Sequence, residues 1–419
     1  MGRPTRARAL AVWMNGEHVG TWSLSTGGPQ HFTYAESWLH SKQFRPLSLS
    51  LPVGLGASTL RGEAVESWFA NLLPDSDAIR RRAQVRFQAA STSGIDRIEA
   101  RPLNDQDIGQ RLRAVTAGPE PGSLDHESDE LRLSVAGAQE KTAFLWHNNQ
   151  WCLPLGSTPT THLFKLPMGM IGEGQIDFSS SVENEWLCSR LLMAYGLPVA
   201  SAEIGHFDGE RCLIVQRFDR RLHASGAYWL RLPTEDCCQA TSTPAAKKYE
   251  NNGGPGMVAI AALLAQSSER SDLATFFKAQ VLFWMLRAID GHAKNFSLFL
   301  NPGGRFQLTP LYDVLSAWPV IGRRSDQWPQ QKLRMAMAWL GDKGRYSKPL
   351  EITSRRMLLT AKRLGLSDAQ TILHEVITRT PAVVASVRAQ LPAHFPESVA
   401  EPVLTGLQAS ADQLQRQLI

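Results

Sequence analysis

Asp290 and Asn295 stand five positions apart in the segment Asp290-Gly291-His292-Ala293-Lys294-Asn295, and a second acid, Asp313, follows eighteen positions later. An acid, an amide and a second acid in that order suit phosphoryl transfer. The first acid can orient an attacking hydroxyl and accept its proton. The amide oxygen and the second acid can hold Mg²⁺ against the phosphates of ATP. Mg²⁺ takes much of its shell from phosphate oxygens and water, so two protein ligands suffice. Taken alone, the spacing also fits a polar turn, because Asp, Gly and Asn all favour turns.

Two upstream segments add to it. The run Ser134-Val135-Ala136-Gly137-Ala138-Gln139-Glu140-Lys141 precedes a strand read over 142–146. Small residues let backbone N–H groups approach phosphates, and such a turn can act as an anion nest, although one glycine is few for the task. Lys165 lies in His162-Leu163-Phe164-Lys165-Leu166-Pro167. On a period of two it shares a face with Leu163, opposite His162, Phe164 and Leu166. A cation held inside a strand invites a phosphate or a carboxylate. Glu185, twenty positions on, falls on a helix read over 182–195 and can supply that carboxylate, as a strand Lys and a helix Glu pair in protein kinases.

The elements that must position these residues follow from pattern. Leu273, Phe276, Phe277, Val281, Trp284 and Met285 form the apolar stripe of a helix over 272–289, with Gly291 expected to end it. Strands over 296–300 and 306–309 read as a hairpin around Pro302-Gly303-Gly304. At the front, a strand over 10–14 turns at Asn15-Gly16 into 19–24, and 31–34 and 46–51 read as further strands. Helices follow over 63–72 and, after Pro74-Asp75-Ser76, over 77–87. Residues 89–130 dissolve into Ser, Gly, Pro and charge and read as a loose linker. A β-rich stretch runs from 131 to 218. Beyond about 234 the chain turns helical, over 255–266, 350–364, 368–391 (broken near Pro381) and 398–414.

Composition sets the bounds. The chain has 419 residues, 43% apolar and 20% charged, with twelve Trp and sixteen Phe, which excludes a chain disordered throughout. The longest apolar run, residues 257–265, is too short to span a bilayer, and the stretch after Arg3, Arg6 and Arg8 is short for a secretory signal. Five Cys without a CxxC pair point to reduced thiols, hence to a cytoplasmic protein. The net charge of +5 is compatible with nucleic acid nearby and equally with an ordinary soluble enzyme.

The segments 133–145, 161–167, 288–299 and 308–314 resemble the HipA family of serine/threonine kinases, the toxin halves of type II toxin–antitoxin modules. Further similar stretches include 13–20, 45–52, 71–76, 215–221, 232–241, 248–256 and 391–397. The resemblance implies an α+β, two-lobed protein-kinase-like (PI3/4-kinase-like) fold. Its parts would be an N-terminal subdomain and linker over 1–120, a nucleotide lobe over 121–233 and a helical lobe over 234–419. It implies Asp290 as catalytic base, Asn295 and Asp313 as Mg²⁺ ligands, and Lys165 on the α/β-phosphates of ATP. The loop Ala136, Gly137, Ala138, Gln139, Glu140 and Lys141 would cover the nucleotide. Gln216, Arg217 and Phe218 would form the hinge beside adenine, with His292 and Lys294 lining the catalytic loop. Ser134 matches the family's autophosphorylated serine, and a phosphate there would be repelled from a loop that must hold ATP phosphates.

Partners follow from the same resemblance: a HipB-like helix-turn-helix antitoxin, operator DNA reached mainly through it, and an aminoacyl-tRNA synthetase, such as the glutamyl enzyme, as the phosphorylated protein. Growth arrest and persistence would result. One departure stands out. The family's Gly-Arg-Asp-x-x-Gly-Ala strand segment has no clear counterpart in 91–109, so either the N-terminal sheet lacks a strand or the sequence has diverged there. Two other functions stay open: a small-molecule, aminoglycoside-type kinase, and a catalytically weak corepressor acting through antitoxin and DNA. For the latter, basic clusters exist at Arg80–Arg82 with Arg86, and at Arg355, Arg356, Lys362 and Arg363. A metal hydrolase is disfavoured, since no HExxH or paired-His spacing is present.

Overall fold

The computed structural model describes residues 8–24, 28–54, 58–73, 94–117, 139–171 and 176–418. The helix expected over 77–87, Ser134, and Ala136, Gly137 and Ala138 lie outside these residues.

Alternating apolar residues and the Asn15-Gly16 turn produce the antiparallel pair Arg8–Met14 and Glu17–Leu24, to which His31–Tyr34 and Thr59–Arg61 add. This four-stranded sheet packs Val19, Phe32 and Tyr34 against Val65, Trp68 and Phe69 of the helix Glu63–Ala70. The strand expected over 46–51 is instead irregular. Ser48 and Ser50 hydroxyls serve local backbone and each other, competing with a ladder, while the Tyr34 hydroxyl bonds the Leu47 N–H and the Leu51 carbonyl.

The second sheet has six antiparallel strands in the order Ala202–Phe207, Glu210–Gln216, His162–Lys165, Lys141–His147, Gln150–Pro154, Ala100–Pro102. Ala100–Pro102 is a short strand that pairs with Gln150–Pro154 at the edge of this sheet, and the expectation of a loose linker over 89–130 is corrected. Part of the supposed linker is the helix Asp105–Ala117, opened by reciprocal bonds between Asn104 and Asp107. Its Ile108, Leu112 and Val115 enter one core with Phe144, Phe164 and Phe207. Gly109 permits that contact, since a Cβ there would lie 2.7 Å from the Asp208 Cβ. We therefore propose that the seam between the N-terminal unit and the nucleotide lobe falls near residue 100 rather than 120.

The helical lobe is built on Asp272–Leu286, buried nearly all round and flanked by Met257–Leu264, Ser354–Leu364, Ala369–Ala389 and Glu397–Leu418. The break expected at Pro381 does not occur. The helix runs through it, held by buried Thr380, whose hydroxyl bonds the Val376 carbonyl and the Tyr195 hydroxyl. No helix among the described residues is long and apolar enough to cross a membrane, and all five cysteines are buried and free.

Candidate active site

Period-two alternation decides where Lys165 points. Phe164 and Leu166 turn into the aromatic core, so Lys165 faces the helical lobe. There its ammonium donates to Glu185 on the helix Ser181–Ala194 at 2.6 Å and to Asp313 at 2.6 Å. Burial alone would lower the Lys165 pKa, but the Asp313 and Glu185 charges outweigh it and hold the ammonium above its usual range. Burial raises Glu185 against the pull of Lys165. In Asp313 the attraction of Lys165, with Lys141 behind it, overcomes burial and keeps the carboxyl below the usual range. That attraction is partly screened, because 34% of the Asp313 side chain is open to solvent. Lys141 stands directly opposite Lys165 in the strand register, so two cations share the face above these carboxylates.

The catalytic-loop candidates are set by an unusual helix end. The helix stops at Leu286, where Arg287 takes a left-handed conformation (φ 52°) and its guanidinium lies between the Trp284 and Trp318 rings at 4.7 and 4.8 Å. Gly291 is not the stop that the sequence suggests. It is needed for space, since a Cβ there would sit 2.5 Å from the Phe283 ring. Asn295 donates its amide to the Asp290 carbonyl at 2.9 Å and reaches the Asp313 carbonyl at 3.4 Å. Its oxygen is thereby turned away from both. Asp313 itself adopts φ 62°, costly for a residue with a Cβ and held by the pairing of Leu311 with Pro198 and Ala200.

Asp290 is exposed, and its carboxylate accepts a hydrogen bond from the Tyr249 hydroxyl. Tyr249 also stands edge-on to His292, which is 4% exposed. Burial lowers the His292 pKa against the opposing charge of Asp290, favouring neutral imidazole. Its Nδ1 has no partner among the described residues. Beyond Tyr249 opens a hollow of about 460 Å³ lined by Asn251, Asn252, Arg334, Arg345 and Ser347. Sequence alone assigns Tyr249 no role; its place in the 248–256 stretch is the signal that points to it.

The other site residues divide. Gln139 donates to the Leu166 carbonyl, and Leu166 N–H bonds Glu140, which ties the end of the 139–141 segment to the Lys165 strand. Gln216 ends its strand exposed, beside His162. Arg217 turns away to pair with Asp219 at 2.8 Å, and Phe218 packs against Phe299 and Tyr312. Lys294 also turns from the cleft, its ammonium engaged by Asn71 and Asp236. Of the helical basic cluster, Arg355 pairs with Asp342 and Arg356 stacks on Tyr346.

A six-stranded sheet over a helical lobe, with a strand Lys and helix Glu paired at the seam beside an Asp-Asn-Asp set, defines a kinase, an enzyme of the phosphotransferase class. Family models agree: the HipA-like C-terminal domain matches residues 133–384 and the HipA N-terminal domain residues 10–101. The chain belongs to the HipA-like kinase family. It is similar to Putative kinase Y4mE of Sinorhizobium fredii, 32% identical over 74% of this chain and 77% of that one. It is also similar to the serine/threonine-protein kinase toxin HipA of Shewanella oneidensis, 27% identical over 86% of this chain and 84% of that one. Among solved structures it matches the Shewanella oneidensis toxin–antitoxin complex of HipA, HipB and operator DNA, with TM-score 0.74, 22% identity and 98% of both chains covered. That likeness confirms the two-lobed fold.

Proposed function

We propose that this chain is a serine/threonine-protein kinase toxin that transfers the γ-phosphoryl group of ATP to a protein hydroxyl. The observation that carries the reading is the Asn295 amide, which bonds the Asp290 and Asp313 carbonyls and so gathers all three residues around one point.

The residues fit a metal–nucleotide pair. The Asn295 oxygen and the Asp313 carboxylate are hard oxygen ligands of the kind Mg²⁺ takes, and the buried His292 Nδ1, without a partner among the described residues, would donate to a phosphate oxygen when it carries the ring proton. Bound there, Mg²⁺ would neutralise charge on the phosphates. Lys165, already aimed by Glu185 and Asp313, would bind the α/β-phosphates, and Lys141 beside it adds a second cation. Asp290 would accept the proton of the acceptor hydroxyl as its oxygen bonds the γ-phosphorus and the bond to the β-phosphate oxygen breaks, releasing ADP. Tyr249 would hold Asp290 in place, and the acceptor would enter from the hollow beside it. The loop from Ala136 to Lys141 would close over the phosphates, and the Gln216, Arg217 and Phe218 backbone would border adenine.

Kinship to a named toxin kinase, and fold likeness to one solved with HipB and operator DNA, support a HipB-like antitoxin as partner and operator DNA reached through it. We assign an aminoacyl-tRNA synthetase as target, Ser134 as self-modified switch and the cytoplasm as location. The test is incubation with labelled ATP and Mg²⁺, with and without synthetases, using Asp290→Asn and Ser134→Ala. Label should pass to one synthetase, vanish with Asp290→Asn, and lose only its self-labelling part with Ser134→Ala. Label on an aminoglycoside instead of any protein would overturn the reading.

A further inference from the structure

Lys294 sits next to a proposed metal ligand, yet its ammonium lies in the opposite direction. It is 8% exposed and donates to Asn71 Oδ1 at 2.9 Å, to the Asn71 carbonyl at 3.4 Å and to Asp236 Oδ2 at 2.7 Å. These account for all three ammonium protons. Asn71 follows the helix Glu63–Ala70 of the N-terminal unit and is 2% exposed. Its own amide donates to the Ser67 carbonyl at 2.9 Å and to the Thr243 carbonyl at 2.9 Å, which aims its oxygen at Lys294. The Lys294 carbonyl, in turn, accepts the Tyr312 hydroxyl at 2.8 Å. Lys294 is therefore bonded through the chain to Asn295 and through Tyr312 to Asp313.

We infer that Asn71 is a positioning residue for the metal site: the N-terminal unit sets Asn295 and Asp313 through Lys294. This rests on the kinase reading above. The physical reason is the cost of a buried ammonium with an unmet proton, which makes Lys294 follow Asn71 rather than stay behind. Anything that tilts the N-terminal unit is consequently felt at the metal, and metal binding is felt at the N-terminal unit. The unit thus positions the metal site from outside it.

The experiment measures Mn²⁺ affinity by electron paramagnetic resonance in the full chain with a non-hydrolysable ATP analogue, alongside the Mg²⁺ dependence of phosphate transfer. Asn71→Ala should weaken Mn²⁺ binding by about tenfold, the lower end of what losing a group bonded directly to a ligand costs, because Asn71 acts one residue removed from Asn295. In a double-mutant cycle, Asn71→Ala added to Lys294→Met should weaken it no further. Asn71→Asp keeps an acceptor for Lys294 but loses the amide donor to the Ser67 and Thr243 carbonyls, so its affinity should fall between the natural and alanine values, and it serves as the second variant if the alanine protein does not fold. Unchanged Mn²⁺ affinity in Asn71→Ala, even with lowered thermal stability, overturns the coupling while the kinase reading stands. A natural protein that binds no metal–nucleotide pair overturns both.

Discussion

Lys165 and Asp313 meet at 2.6 Å across 148 positions of chain, and the same ammonium holds Glu185 at 2.6 Å. One cation thus joins a strand of the sheet, a helix behind it and the segment after the catalytic loop. Removing it leaves two carboxylates facing each other.

Lys165→Met should therefore lose phosphate transfer by at least about 100-fold and also destabilise the fold by about 3–5 kcal/mol, the cost of an unpaired buried charge. Urea denaturation with activity assays separates the two. Glu185→Gln keeps the Lys165–Asp313 bond and should cost less, about 1–3 kcal/mol. An unchanged urea midpoint in Lys165→Met would show that the pair carries no structural load.

The Asp290 side chain is exposed and its carboxylate meets the Tyr249 hydroxyl, so changing that carboxylate should spare the fold. Asp290→Asn is expected to lower kcat about 10²–10⁴-fold, the usual contribution of a general base, while nucleotide affinity stays within about twofold. Single-turnover transfer and fluorescent-nucleotide titration provide the readouts. Asp313→Asn, by contrast, should weaken metal–nucleotide binding itself.

Leu112 is fully buried on the helix Asp105–Ala117. If that helix seals the nucleotide-lobe core, Leu112→Ala should cost about 2–5 kcal/mol in chemical denaturation. A surface helix would yield only a few tenths, and rapid proteolysis within residues 105–117 of the natural protein would argue the same way.

Glu235 is 1% exposed where the N-terminal unit meets the helical lobe, accepting the Leu49 N–H at 2.8 Å beside Ser48, Trp68 and Asp236. Burial raises its pKa from 4.5 to about 7. Between those values the folded chain keeps a proton that the unfolded chain has released. Its contribution to stability is complete below pH 4.5 and is lost as pH rises through about 7, a change of about 3 kcal/mol. Glu235→Gln should flatten this fall, giving a higher Tm than the natural protein at about pH 8 and little difference at about pH 5. Parallel melting curves with the same slope would reject the assignment.

Much of the site was legible because its signals are local. The spacing of Asp290 and Asn295, the alternation that aims Lys165 and the hairpin that returns to Asp313 all act over a few residues. What sequence could not give are bonds between distant segments. Nothing near Lys294 announces Asn71, and Tyr249 is as ordinary a residue as its neighbours until it meets Asp290. The helix Asp105–Ala117 is a different case. Its Asn104–Asp107 cap and the Ile108, Leu112, Val115 spacing were present, but Gly109 and a high charge density masked them. Gly109 reads as a breaker in sequence, whereas in the fold it is the contact that lets the helix approach.

The helix Glu397–Leu418 packs against the end of the helix Asp272–Leu286 and against Trp318. Ser410 bonds the Met285 carbonyl at 3.1 Å, and Gly406 leaves just enough room for Trp318, the ring that covers Arg287. During translation this helix arrives after Asp290, Asn295 and Asp313 have already been made. A chain that ends before this helix would carry the reactive side chains without the support under Met285 and Trp318.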